Sequence, residues 1–256
     1  MRLAKCLPLP TIRRTWTVRQ WIQVAHDLGA RYAVLTAKHM SGFCLWDSKG
    51  YDYDVAASGN KTDVVAAFVA GCREYGLRPG FYYCILHPHN EGKFDWDSRV
   101  PDAYYELIKH HLTELHSRYP GTFYQLLDIT WKISQEQRWQ LYRLIKKYSP
   151  DCIVVMNQAF YQSRRNQGRI CEPASWPCDV INAEDTLPAA TGHDPHVIFE
   201  AALTTCQWNL GFPPAHLTNP CHQCIVGSGA KASRRKALRC SPESIATACG
   251  GIRTCC

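Results

Sequence analysis

The feature that most constrains the fold is a fourfold alternation of helix-forming and apolar segments. In each unit, a segment with helical periodicity is followed by a short apolar run, with Gly or Pro often marking the stop between them. This alternation is typical of a parallel sheet whose apolar strands are buried. The predicted helices span 18–28, 62–75, 102–118 and 134–147, and the predicted strands span 32–36, 79–85, 122–128 and 152–156, with a candidate fifth strand at 179–182.

Two α/β architectures fit this alternation, a (β/α) barrel and a doubly wound sheet. A doubly wound dinucleotide fold would carry G-x-G-x-x-G after a strand, and the sequence contains no such motif. We therefore expect a TIM-type (β/α) barrel without a nucleotide cofactor. Eight units need about 250 residues, and only four or five can be recognised, so the barrel is expected to be incomplete.

Composition divides the chain near residue 200. The net charge of +7 would suggest nucleic acid, but residues 1–200 carry 23 basic and 21 acidic residues, whereas residues 201–256 carry 6 and 1. The nearly neutral body predicts no nucleic-acid partner. The lack of a long apolar run predicts no membrane partner, and the first residues lack the apolar core of a secretory signal. The compartment and the oligomeric state stay open.

The cysteines divide in the same way. Five of the 14 precede residue 171 and are expected to be buried apolar residues, whereas seven lie between residues 206 and 256. We expect a partial barrel domain over 1–200 and an irregular Cys-rich tail over 201–256. One alternative is a zinc-binding interaction module that uses Cys221 and Cys224, although the second half of such a site is missing.

In a barrel of this kind, functional residues lie just past the carboxyl ends of the strands. Aromatic rings there can stack on a sugar, His and Asn can bind its hydroxyls, and a pair of carboxyl groups can hydrolyse a glycosidic bond. Asp128 ends an apolar strand, which favours a nucleophile, although a helix N-cap is the alternative. The strand ends supply His39, Tyr82, Tyr83, His87, Asp128 and Asn157, and the following loops supply Glu172 and Glu184.

Other histidines are given ordinary roles. His110, His111 and His116 lie within one predicted helix and are expected to be solvated. His87 and His89 lack a third ligand at a suitable spacing, so no metal site is expected.

Several motifs resemble the α-L-fucosidases of glycoside hydrolase family 29. Residues 33–48 read A-V-L-T-A-K-H-M-S-G-F-C-L-W-D-S, and 51–55 read Y-D-Y-D-V. They are similar to the family's A-K-H-H-D-G-F-x-x-W-x-S and Y-x-Y-(D/N)-V. Residues 126–131, L-L-D-I-T-W, resemble its W-F-D-G-x-W, whose aspartate is the nucleophile. The resemblance covers roughly 17–200 and implies a retaining glycosidase that cleaves terminal α-L-fucosides from fucosylated glycans or glycoconjugates.

The resemblance also implies roles for individual residues. Asp128 would be the nucleophile, and Glu184 or, second, Glu172 the acid/base. Substrate contacts would come from His39, Trp46 and one of Tyr82 and Tyr83. Met40 stands where the family has a second histidine, and Leu126 and Leu127 replace its Trp-Phe pair. These departures keep open the alternative of an inactive, sugar-binding remnant.

The resemblance predicts that both ends of the chain differ from the family. The first family strand, F-x-I-H-x-G, has no counterpart, which suggests truncation. A permitted coding of residues 201–209, reread one base earlier, gives G-S-T-Y-Y-L-P-M-E, similar to the family's continuation G-K-x-Y-Y-L-P-M-E. We therefore hypothesise that 201–256 is translated out of frame, and resequencing of the gene near codon 200 tests this.

Overall fold

The computed structural model describes residues 17–59, 61–86, 98–157, 177–184 and 198–202. From residue 18 to residue 156, helices and parallel strands alternate along the chain, as the sequence predicts. The elements are α1 (Val18–Asp27), β1 (Tyr32–Lys38), α2 (Val64–Glu74), β2 (Arg78–Cys84), α3 (Asp102–Arg118), β3 (Tyr124–Asp128), α4 (Gln135–Tyr148), β4 (Ile153–Met156), β5 (Ile181–Glu184) and β6 (Phe199–Ala202), with a 3-10 turn at Thr130–Lys132.

The helices begin at side-chain caps that the sequence encodes locally. Thr17 and Ser134 each form a capping box, in which the cap side chain accepts from the backbone of a glutamine three residues on and that glutamine side chain accepts from the cap backbone. Asp63 caps α2 by accepting from Ala66. These bonds satisfy amide groups that have no partner inside the helix. Ser134 thus confirms the predicted start of the fourth helix.

The strands follow one another in space in the order in which they follow along the chain. Strands β1 to β4 form a parallel sheet in the order β1-β2-β3-β4, and β5 and β6 form a parallel pair. A bridge between Val155 and Val180 connects β4 to the start of β5. Strand β6 was not predicted from the sequence, and it ends two residues past the predicted domain boundary at residue 200.

The helices pack against one face of the sheet, which we call the outer face. Its core joins strand residues such as Phe81 and Leu127 to the buried sides of all four helices, and it includes Ile22, Phe68, Leu112 and Leu141. The other face, the inner face, carries a separate cluster that includes Tyr124, Leu126 and Val155. Strand residues alternate between these faces because successive side chains of a strand point in opposite directions.

Gly80 allows strands β1 to β3 to pack closely. A Cβ at this position would lie 2.8 Å from Cβ and 3.0 Å from the carbonyl oxygen of Tyr124, and 3.3 Å from Cγ2 of Val34. The absence of a side chain therefore leaves room on the inner face for these larger neighbours.

The described cysteines match the expectation for the body of the chain. Cys44, Cys72, Cys84 and Cys152 are free and buried, and Cys178 is free and half-buried. Burial raises the pKa of the Cys84 thiol to about 12, so this thiol is protonated near neutral pH. The four buried side chains act as small apolar packing groups. Cys6 lies outside the described residues.

Candidate active site

The carboxyl ends of three neighbouring strands bring polar side chains together at one edge of the sheet. Asp128 is the last residue of β3, and its Cα pairs with that of Cys84 at the end of β2. Asn157 directly follows β4, and its amide donates to the carbonyl of Leu127 at 2.8 Å. The parallel register therefore places these chain-distant residues side by side.

Asp128 lies at the centre of this group. Its Oδ2 accepts a short hydrogen bond from the Tyr82 hydroxyl. Its Oδ1 accepts from Nδ2 of Asn157 at 2.9 Å and from the backbone N–H of Ile129 at 2.8 Å. Hydrogen bonds of this kind fix the orientation of a carboxylate. Asp128 is half-buried, so it combines a fixed orientation with access from solvent.

The backbone next to Asp128 adopts a left-handed conformation. Ile129 has φ 59° and ψ 35°, and its φ is the sole positive value among the described non-glycine residues. This conformation is strained for a β-branched side chain. In this conformation, the backbone N–H of Ile129 donates to Oδ1 of Asp128. The side chain is buried with Cys84 and Leu86, and Met40, Tyr82 and Trp131 pack against this apolar cluster.

His39 lies beside the same carboxylate. Its ring stacks on the ring of Tyr82, with centroids 5.6 Å apart and an interplanar angle of 12°. The residue as a whole is exposed, yet partial desolvation of the ring lowers the pKa of His39, an effect that Asp128 opposes and Lys38 reinforces. His39 therefore presents a predominantly neutral imidazole, able to donate and to accept a hydrogen bond, at the open side of the site.

Trp46 does not join this group, contrary to the expectation that it helps to form the sugar pocket, and of the two candidate tyrosines Tyr82 joins the group and Tyr83 does not. Trp46 is fully buried and donates from Nε1 to Oε2 of Glu114 at 2.9 Å. Tyr83 is also fully buried, with its hydroxyl 2.9 Å from Nδ1 of His111. Tyr82 and Tyr83 are neighbours in β2, so they point to opposite faces, and only Tyr82 reaches Asp128.

Two of the helix-borne histidines are also buried, contrary to expectation. His111 contacts Tyr83, and His116 lies between Oγ of Ser149 at 3.0 Å and Oε1 of Gln125 at 3.1 Å. Burial lowers the pKa of His116 to about 4. The remaining one, His110, is exposed and lies 2.8 Å from the carbonyl oxygen of Lys49.

Of the two candidate acid/base residues, the structure describes the backbone of Glu184 but not Glu172. Glu184 is the last residue of β5, which places its backbone at the carboxyl end of a parallel strand, like that of Asp128. Its side chain lies outside the described part of the structure, as do Glu172, His87, His89 and the cysteines at 221 and 224.

Sequence reasoning missed a buried carboxyl group on the inner face, that of Glu200 in β6. Glu200 is 5% exposed, and its Oε1 accepts from the Tyr124 hydroxyl at 2.7 Å on the inner face. Burial raises the pKa of Glu200, an effect that the hydrogen bond from Tyr124 opposes. The sequence offered little to indicate this residue, because β6 has only four residues and lies where the recognisable family pattern ends.

Neither a metal cluster nor a membrane-spanning helix occurs in the described ranges. No group of three or more His, Cys, Asp and Glu side chains there is arranged to hold a metal ion. Likewise, none of the described helices is both long enough and apolar enough to cross a membrane.

A family model described as alpha-L-fucosidase matches residues 12–205 of this chain, which is most of its length. The chain belongs to the alpha-L-fucosidase family. This membership confirms the resemblance that the sequence motifs suggest. Alpha-L-fucosidase 1 of Arabidopsis thaliana is 36% identical over 103 residues, a match that covers 39% of this chain and 19% of the plant protein.

Solved structures of fucosidases share the fold. The putative alpha-L-fucosidase of Bacteroides thetaiotaomicron is 30% identical, with a TM-score of 0.53 over 65% of this chain and 34% of that one. The alpha-L-fucosidase AlfC of Lactobacillus casei, solved in complex with α-L-fucose product, is 20% identical, with a TM-score of 0.59 over 74% of this chain and 61% of that one. At that identity, the second likeness shows the fold alone.

The chain matches only a part of the length of its curated relatives. The matches cover 19% of the Arabidopsis protein and 24% of the human plasma alpha-L-fucosidase.

Proposed function

We propose that this chain is a retaining α-L-fucosidase that hydrolyses terminal α-L-fucosides, with Asp128 as the nucleophile. The observation that carries the proposal is the half-buried Asp128 carboxylate at the end of β3, held by Tyr82, Asn157 and the Ile129 amide. A nucleophilic carboxylate has to be ionised and aimed at the anomeric carbon. The three hydrogen bonds hold the Asp128 carboxylate in one orientation. Family membership supports α-L-fucose as the sugar.

In this mechanism Asp128 attacks the anomeric carbon and forms a covalent fucosyl-enzyme, while a second carboxyl group protonates the departing oxygen. Water, deprotonated by that second group, then releases fucose with its configuration retained. Glu184 is the first candidate for the second group because β5 ends at the same edge of the sheet as β3. Glu172 is the second candidate. His39 and Tyr82 would bind the hydroxyls and the ring of fucose beside Asp128.

The fold that we propose for this reaction is a (β/α) barrel. The strand order follows the chain, and the described helices pack on the outer face, which is the arrangement of a singly wound barrel. Strands β3 and β6 lie three positions apart, about 14 Å in a flat sheet, yet Tyr124 and Glu200 form a hydrogen bond on the inner face. A sheet that curves around its inner face accounts for this contact.

The division into domains stays a proposal. We place the catalytic domain over residues 1–200 and the Cys-rich tail over 201–256. The family match ends at residue 205, which supports a change in character near this boundary.

The test of Asp128 is the release of 4-nitrophenol from 4-nitrophenyl α-L-fucoside. We expect turnover by the full chain and a loss of at least about a thousandfold in Asp128→Asn, which keeps the side-chain shape but removes the nucleophile. Asp102→Asn, at an exposed position on α3, is the matched control and should retain activity. Equal turnover by Asp128→Asn and the full chain would rule out the proposed nucleophile.

The same substrate separates the two acid/base candidates. Because 4-nitrophenol leaves without much help from an acid, replacing the acid/base by Ala should slow mainly the hydrolysis of the covalent intermediate. Added azide should then restore turnover and yield fucosyl azide. We expect this rescue for Glu184→Ala, and rescue of Glu172→Ala instead would reassign the role. A folded chain that binds fucose but turns over no substrate would favour the sugar-binding remnant.

A further inference from the structure

Strand β1 contains an irregularity next to the site. Thr36 of β1 pairs with Tyr82 of β2, and Lys38 of β1 pairs with Tyr83 of β2. Between these two pairs, β1 advances by two residues and β2 by only one. Ala37 is therefore an extra residue in β1, as in a β-bulge. Bulges change the direction in which the following side chains point, and they often occur beside active sites.

The bulge reverses the faces of the two residues that follow it. Val34 packs in the inner-face cluster and Leu35 in the outer-face core. With regular alternation, Lys38 would point to the inner face and His39 to the outer face. Instead, Lys38 contacts outer-face residues, and His39 stacks on Tyr82, which packs in the inner-face clusters.

Lys38 extends across the end of the neighbouring strand. Its Nζ donates to the carbonyl oxygens of Cys84 at 2.7 Å and Leu86 at 2.9 Å, and to the Tyr104 hydroxyl at 3.1 Å. The same ammonium group lies 4.6 Å from the centre of the Tyr83 ring. Lys38 is 1% exposed, so these contacts are shielded from solvent. The side chain thus ties the carboxyl end of β1 to that of β2 and to α3.

An ammonium group is a costly choice for a buried packing position. An apolar side chain of similar length would fill the space without the loss of hydration. What lysine adds is a set of directional bonds to two backbone carbonyls at the end of β2. Those bonds fix the position of the β1 end relative to β2, and His39 is the next residue in the chain.

We propose that Lys38 is a positioning residue, whose ammonium group stabilises the bulge at Ala37 and thereby places His39 against Tyr82 beside Asp128. The placement of the ring does not depend on the proposed fucosidase function. Its consequence for sugar binding does rest on that function. The test therefore has one arm that reports geometry and one that reports binding.

The geometric arm measures the nuclear Overhauser effect (NOE) between the ring protons of His39 and Tyr82, with selectively labelled His and Tyr in an otherwise deuterated protein. The key variant is Lys38→Met, which keeps the length of the side chain but removes the ammonium. We expect the NOE in the full chain and its loss in Lys38→Met. The control is Leu112→Ala, which removes buried packing from α3 without a change in β1 and should keep the NOE. A folded Lys38→Met protein with an unchanged NOE would overturn the proposal.

If Lys38→Met does not fold, a less disruptive variant, Tyr104→Phe, tests whether Lys38 positions His39. Tyr104→Phe removes one acceptor of the ammonium and leaves both carbonyl contacts in place. We expect a weaker NOE between His39 and Tyr82 in this variant. An NOE of full strength would then count against a positioning role.

The binding arm measures the affinity for α-L-fucose by calorimetry in a double-mutant cycle. If Lys38 acts through His39, Lys38→Met should weaken binding by about tenfold in the full chain, comparable to the loss of one hydrogen bond, but by less than about twofold in a His39→Ala background. Equal losses in both backgrounds would show that Lys38 does not act through His39. If the full chain binds no fucose, the proposed function fails, while the NOE arm still decides the positioning role.

Discussion

At the scale of single residues, the site depends on Ile129, the residue that follows the candidate nucleophile Asp128. Ile129 combines a left-handed backbone with a side chain that is buried beside Cys84 and Leu86. The family motif W-F-D-G-x-W has glycine at this position, the residue for which such a φ costs least. The isoleucine therefore adds apolar packing under Asp128 at the expense of backbone strain.

This strain predicts an unusual order of stability between two variants. Ile129→Gly and Ile129→Ala both lose the buried side chain, but only the glycine variant also loses the strain. We expect Ile129→Gly to be more stable than Ile129→Ala by about 1 kcal/mol in urea unfolding. At Val69, a buried position inside helix α2, the order should be the opposite, with alanine favoured by about 1 kcal/mol. The same order at both positions would contradict the strain at Ile129.

At the scale of elements, a buried histidine connects α3 to its two neighbours. Nε2 of Gln125 donates to the carbonyl of Leu126 at 3.0 Å, so Oε1 of Gln125 is the atom that faces His116. Nε2 of His116 must then donate to Gln125, and Nδ1 accepts from the Ser149 hydroxyl. The neutral ring thus joins α3 to β3 and to the end of α4.

This neutral histidine predicts a pH dependence of stability. Burial lowers the pKa of His116 from 6.5 to about 4, so between these values the unfolded chain binds a proton that the folded chain does not. The free energy of unfolding should therefore fall with decreasing pH in this window, by up to about 1.4 kcal/mol per pH unit. His116→Gln, which removes the titrating imidazole, should reduce the slope measured by urea unfolding. An equal slope in His116→Gln and the full chain would refute this origin.

At the scale of the whole molecule, contacts on the inner face carry the proposal of a curved, barrel-like sheet. Tyr32 of β1 stacks on Tyr124 of β3, with ring centroids 5.6 Å apart, and Tyr124 in turn donates to Glu200 of β6. Burial, with a smaller contribution from Glu200, raises the pKa of Tyr32 to about 12. These contacts place the first and the last described strands on two sides of one interior.

The contact between Tyr124 and Glu200 can be tested by a double-mutant cycle in urea unfolding. If the sheet curves as proposed, Tyr124→Phe and Glu200→Met, which removes the acceptor oxygen, should show a coupling energy of about 1 kcal/mol or more, because the two groups bond directly in the interior. Tyr124→Phe combined with Glu136→Gln, a change on the exposed part of α4, should be additive. Additivity of the first pair would count against the curvature.

The sequence alone determined the order and the type of most elements, the position of Asp128 at a strand end, and the family. These depend on local patterns such as apolar strands, Gly stops and the cap at Ser134, which act within a few residues of the chain. Strand β6 was missed because four residues carry too little periodicity to be recognised.

Only the tertiary structure decided which face each side chain occupies. One extra residue at Ala37 turns Lys38 outward and His39 toward Asp128, and the alternation in β2 separates Tyr82 from the buried Tyr83. The donors to Asp128 come from β2, from the residue that follows β4 and from Ile129, and no local pattern brings the first two together. Their meeting follows from strand register, which depends on the packing of the whole sheet.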